Sequence, residues 1–223
     1  MNDRELQACK TARTLSSMAA LTAVIATLIL SRVLDVQSMQ WQVVVATVAL
    51  AAGIPHGALD HLVARPVGNG STMSGFVVRY VLTAIVALVA ILLFNVIGFV
   101  FVLVMSAMHF GAGDAAFVAE TNKRIAAPTK HRALLYAVPA GILPIVVPLT
   151  KSTSENALNE INTNIVRWHG GFDSALLIAT ALISLAAFIA LLSTKRYRDA
   201  TDIVLLALLG VVAPPLIAFA VYF

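Results

Sequence analysis

The chain has 223 residues, 60% of them hydrophobic and only 12% charged, with a mean hydropathy of +0.91. Ordinary soluble domains carry roughly a quarter charged residues, so water is not the main solvent, and the apolar blocks leave no room for a separate soluble domain of useful size. A net charge of +4 does not mark a nucleic-acid partner, because Lys and Arg fall in the short segments between apolar blocks, where they read as topology signals.

A helix needs about 20 predominantly apolar residues to cross a bilayer core. That requirement predicts spans near 15–34, 41–64, 76–95, 96–116, 133–150, 174–193 and 202–223. The expected fold is therefore all-α, a polytopic integral membrane protein of about seven transmembrane helices in a single membrane domain over 1–223. The first block follows Lys10 and Arg13 like a signal peptide, but its far flank, Arg32 to Asp35, has no small-residue cleavage pattern, so it reads as an uncleaved anchor. The lone cysteine, Cys9, rules out a disulfide framework within the chain.

The third and fourth spans meet at Asn95-Val96-Ile97-Gly98, a junction so short that the two helices must be antiparallel neighbours. The polar connections are about 117–132 and 151–173, and the second has room for a short surface helix. Pro55, Pro139, Pro144, Pro148, Pro214 and Pro215 fall in or beside spans, where proline removes a backbone donor and can kink or break the helix. With seven spans, 12 of the 15 Lys and Arg residues fall on one side and Arg32, Lys151 and Arg167 on the other. That asymmetry places the N-terminus in the cytoplasm, in a multi-pass protein of the cell inner (plasma) membrane.

Ionisable groups in the hydrocarbon are costly, so each is a functional candidate with a partner to find. Two clusters stand out: Gly53-Ile-Pro-His56-Gly-Ala-Leu-Asp60-His61 in the second span and Ser106-Ala-Met-His109-Phe-Gly-Ala-Gly-Asp114 in the fourth. On a helix, residues four apart share a face, so Asp60 is placed to orient His56, whereas His61 lies about 140° away. A carboxylate accepting the second ring N–H of a histidine fixes its tautomer and raises its basicity towards a metal. Gly53 with Gly57, and Gly111 with Gly113, allow close backbone approach, which would let His56 and His109 share one cavity. Plainer readings stand beside these: a cross-helix hydrogen bond for any of the three histidines, a solvated helix end for Asp114, surface positions for His131 and His169, and packing for Met105 and Met108. The last span lacks the lysine that a retinal Schiff base needs, and phosphate-cradling glycine loops, a Gly-x-Ser-x-Gly elbow and a His-Glu-x-x-His zinc motif are absent.

The His56–His61 and Ser106–Gly111 elements resemble the His-Gly-x-x-Asp-His and Ser-x-x-His-Phe-Gly signatures of the bacterial and archaeal β-carotene 15,15'-dioxygenases, the Brp/Blh family. Pro214 to Phe223 is similar to the Pro-Pro-Leu helix of that family. The resemblance implies oxidative cleavage of β-carotene at its central double bond into two retinal molecules, using dioxygen at a histidine-ligated Fe(II). Metal ligands are then expected at His56 and His109, with Asp60 behind His56 and His61 as a weaker ligand or polar contact. Partners would be the carotenoid, dioxygen and the lipid bilayer, with Phe101, Phe110, Phe117 and Tyr136 expected along an apolar tunnel. In the family a His-x-x-x-His pair follows the Pro-Pro-Leu helix to complete a four-histidine site; this chain stops at Phe223, so a C-terminal truncation is expected. A transporter or proton-conducting protein using His56, Asp60 and His109 as an intramembrane relay is the alternative. Another histidine-rich membrane oxygenase or desaturase is a weaker one, since the chain has only five histidines.

Overall fold

A computed structural model describes residues 3–32, 40–48, 73–122 and 130–222, and all the regular structure among them is helical. Helix α1 is Asp3–Leu30, residues 40–48 are helical, and α2 is Met73–Asn122, broken at Asn95. Helix α3 is Lys130–Leu149, followed by a 3-10 turn at Ser152–Ser154, the short α4 Glu155–Ile161 and a second 3-10 turn at Thr163–Ile165. Helices α5 (Asp173–Ser193), α6 (Tyr197–Val212) and α7 (Pro215–Tyr222) complete the order.

The outer surface is apolar. Leu15, Leu82, Leu93, Ile97, Ile178 and Leu182 are all more than half exposed, an exterior that hydrocarbon tolerates and water does not. Among the described residues, three helical stretches are long and apolar enough to cross a membrane: Leu6–Leu30, Val81–Ala119 and Asp173–Ser193. A fourth candidate joins Ala133–Leu149 to Ser152–Ile161 across a 75° bend. This accounts for part of the expected seven spans; most of the second, near 41–64, lies outside the described residues.

Narrow stripes hold the helices together. In α1 the inward positions are Arg13, Ser17, Ala20, Val24 and Thr27, spaced four and three apart, so they form one face that meets α6 and α7. In α5 the buried residues are Thr180, Ser184, Ala187 and Leu191, again one face, and mostly small. Small side chains suit association in lipid, where close van der Waals contact replaces the hydrophobic drive between helices.

Asn95 has φ 47 and ψ −119, which ends the helix and turns the chain back. A Cβ at Gly98 would overlap the Ala90 carbonyl oxygen, yet eight residues along a straight helix are about 12 Å apart. The two arms of α2 are therefore folded against each other at the junction expected from sequence. The side chains of Asn162 and Asn164, beyond α4, donate to Asn95 Oδ1 at 2.9 and 3.2 Å and tie the turn down.

The segment expected as one last span, 202–223, is instead two helices. Ala213 is extended (φ −72, ψ 146) where α6 ends and Pro214-Pro215 follows, because proline cannot continue the hydrogen-bond ladder and forces the residue before it out of helical geometry. The carbonyls left at the end of α6 are met by Lys151, whose Nζ donates to Val211 O at 2.6 Å and to Ala213 O at 2.9 Å. Burial pushes the Lys151 amine down to about 8, and the two carbonyls oppose that shift by binding its charged form. Past the break, α7 turns back into the bundle: Ile217 and Ala218 pack with Ala20, Val24 and Leu209, and Tyr222 reaches α2.

Candidate functional site

His109 lies on the second arm of α2. Phe99, Leu103, Ala107, Gly111, Ala115 and Val118 form the buried stripe of that arm, and His109, two residues from Ala107 and from Gly111, is about 200° around from both. It therefore projects away from α3 and is exposed among the described residues, as are Met105 and Met108 on the same side. The imidazole stacks edge-on against Phe110, with ring centroids 5.4 Å apart and planes at 72°. It makes no hydrogen bond to another described residue. Among the described residues neither ring nitrogen has a partner, and a metal ligand needs only one of them.

Gly111 is where α2 and α3 come closest. A Cβ at Gly111 would overlap the Ala137 carbonyl oxygen, and one at Gly141 would overlap the Ala107 carbonyl oxygen. The close approach expected beside His109 is therefore present, with α3 as the partner. Among the described residues Gly113 does not share in it, since a Cβ there meets none of them within 4 Å. Four residues past Phe110, and so on the same face, Asp114 accepts a hydrogen bond from the Tyr222 hydroxyl at 3.2 Å. The Tyr222 ring also packs edge-on against Phe110, 5.7 Å between centroids. Asp114 is thus a partnered, half-buried carboxylate; of the two readings its position left open, the solvated helix end does not hold.

His56, Asp60 and His61 lie outside the described residues, as do Gly53 and Gly57, so the shared cavity is not seen. Among the described residues no three His, Cys, Asp or Glu gather as a metal site would require. The His131 side chain is not described. His169 is half-buried at the head of α5, its ring against Trp168 and Nδ1 4.0 Å from Asp173 Oδ1. The four aromatic residues expected along a tunnel are not gathered. Tyr136 is in the core with Ala115, Ala140 and Ile203, Phe110 is on Tyr222, and Phe101 and Phe117 are exposed.

A second polar cluster was not singled out in the sequence. The Arg13 guanidinium sits between Asp199 and Asp202 of α6, donating through Nε to Asp202 Oδ2 at 2.8 Å and through Nη2 to both carboxylates. Arg196 Nε donates to Asp199 Oδ2 at 2.6 Å, Ser17 donates to Asp202 Oδ1 at 3.1 Å, and Arg198 donates to the Ser17 hydroxyl at 2.6 Å. Asp199 is 2% exposed and Asp202 8%, and these hydrogen bonds and ion pairs offset the hydration both carboxylates lose on burial. The available signal was two carboxylates at the head of a span facing a basic residue in another. The cluster joins Arg13, Arg196 and Arg198, three residues that the charge count had placed on one side of the membrane.

The chain matches the family described as beta-carotene 15,15'-dioxygenase over residues 45–223. No curated relative and no solved structure matches it. Helix α1 lies outside the matched residues but is docked onto them through Arg13.

Proposed function

We propose that this chain, which belongs to the beta-carotene 15,15'-dioxygenase family, cleaves β-carotene at its central double bond to give two retinal molecules. The observation that carries the reading is that one match, 45–223, contains both histidine elements and the Pro-Pro-Leu helix. The balance closes without a reductant: the carbon–carbon double bond breaks, dioxygen is reduced, and each carbon leaves as an aldehyde holding one of its oxygen atoms.

His56 and His109 would hold Fe(II), since neutral imidazoles suit iron. When bound, the iron would supply the activation of dioxygen. Asp60 would accept the second ring N–H of His56 and fix its orientation, and His61 would be a weaker ligand or a polar contact. What supports His109 in this role is its placement: an imidazole without a hydrogen-bond partner among the described residues, on the apolar outer side of α2, costly there unless something binds it. The apolar exterior gives a polyene a route from lipid without crossing water. The membrane would be the cell inner membrane, with the N-terminus in the cytoplasm.

The test is to express the chain in cells that accumulate β-carotene and to separate the pigments by chromatography. Retinal should appear and should be lost in His56→Ala and His109→Ala. Intact β-carotene from every form at normal protein levels would overturn the reading and favour the intramembrane relay of His56, Asp60 and His109.

A further inference from the structure

Tyr222 is the last described residue of α7, and its two contacts with α2 fall on consecutive turns of one face. The hydroxyl is held by Asp114 Oδ2 at 3.2 Å and the ring by Phe110 at 5.7 Å. Phe110 in turn carries the His109 ring, 5.4 Å away. Three rings thus stand in series, Tyr222 on Phe110 and Phe110 on His109, with the far end anchored by a hydrogen bond. The series exists because the Pro214-Pro215 break, with Lys151 on the freed carbonyls, sends α7 back into the bundle; a straight continuation of α6 would carry residue 222 about 13 Å further from Ala213 along the same axis.

We infer that Tyr222 and Asp114 are positioning residues for His109, a clasp that fixes the imidazole through Phe110 and holds the end of α7 against the same turn. The inference rests on the role proposed above for His109. An edge-to-face ring pair constrains the rotamer of both partners. Tyr222 is one of the neighbours that hold Phe110, which also packs against the cluster of Phe99, Leu103 and Ile145, and Phe110 carries the His109 ring. The hydrogen bond needs an acceptor at 114, not a charge. That separates the clasp from a proton-carrying or metal-binding role for the carboxylate, because asparagine keeps a carbonyl oxygen at the same place and leucine does not.

The experiment pairs kinetics with a readout that needs neither iron nor turnover. The full chain is labelled with 3-fluorotyrosine, and the Tyr222 fluorine resonance is assigned by its loss in Tyr222→Phe. That resonance should shift in Asp114→Leu and stay close to its original position in Asp114→Asn. Retinal formation should follow the same order: Tyr222→Phe and Asp114→Leu lower kcat by about 10-fold or more with little change in KM, as expected for a misplaced reacting group, and Asp114→Asn stays within about 3-fold. An Asp114→Asn as damaging as Asp114→Leu would overturn the clasp in favour of a charged role, and so would a Tyr222→Phe that turns over like the parent. A resonance indifferent to Asp114→Leu would remove its structural basis whatever the activity. If the parent makes no retinal, the functional reading fails on its own, and the fluorine shift still decides whether Asp114 holds Tyr222.

Discussion

The two polar regions of this bundle are built oppositely. Between α1 and α6, every charge is answered: Arg13 by Asp199 and Asp202, Asp199 also by Arg196, and Asp202 also by Ser17. On α2, Asp114 is answered by Tyr222, but the His109 imidazole five residues earlier has only the Phe110 ring among the described residues. A closed network in an apolar surround has no capacity left for a ligand, and its role is to hold helices in register. An imidazole left open in the same surround has capacity and no structural return. The difference separates the fastening of α1 from the chemistry of α2.

The largest effect should come from His109→Ala. It should lower retinal formation by at least about 100-fold, a scale common when a group acting directly on the chemistry is removed, while the unfolding free energy in mixed micelles stays within about 0.5 kcal/mol of the parent, as for other exposed positions. A variant that unfolds would instead make His109 structural and erase the contrast. Arg13→Met should do the reverse. Leaving Asp199 and Asp202 without their shared partner should cost about 3 kcal/mol, the range for breaking a buried ion pair, and should expose α1 to proteolysis; an unchanged stability would show that Arg196 and Arg198 suffice.

Gly111→Val sharpens the comparison from the packing side. Its side chain must displace the Ala137 carbonyl, which should cost about 1–3 kcal/mol as overpacking does, seen as a lower midpoint of detergent unfolding. Because the shift pushes α2 off α3, activity should fall with it. The smallest effect is expected for Lys151→Met. It leaves the Val211 and Ala213 carbonyls without their donor at a partly exposed end, so a loss of about 1 kcal/mol is expected, read in the same unfolding assay.

Much of this was readable from spacing. The hairpin at Asn95 followed from a junction too short for anything else; Pro214 and Pro215 were marked as able to break a helix, yet 202–223 was expected as one span. The close approach at Gly111 followed from glycine beside a functional candidate, although Gly113 was expected to share it and, among the described residues, does not. Hydropathy set the fold class because lipid leaves few alternatives for a backbone. What spacing could not give were contacts between distant segments. Arg13 and Asp202 are 189 positions apart, and Asp114 and Tyr222 are 108 apart. Nothing local in either pair marks the other; Arg13 read as a flanking topology charge and Asp114 as a helix end. The tunnel residues are not gathered for a related reason: Phe101 and Phe117 lie on different faces of α2, and Tyr136 is on α3.

The central claim, that His109 belongs to an iron site together with His56, is tested most directly by iron content. The purified chain and its His56→Ala, His109→Ala and His169→Ala variants are loaded with Fe(II) under anaerobic conditions, freed of excess metal and analysed for iron per chain. The account predicts bound iron in the parent and in His169→Ala, and loss of most of it in both His56→Ala and His109→Ala. Iron retained in His109→Ala at the parent level would contradict it.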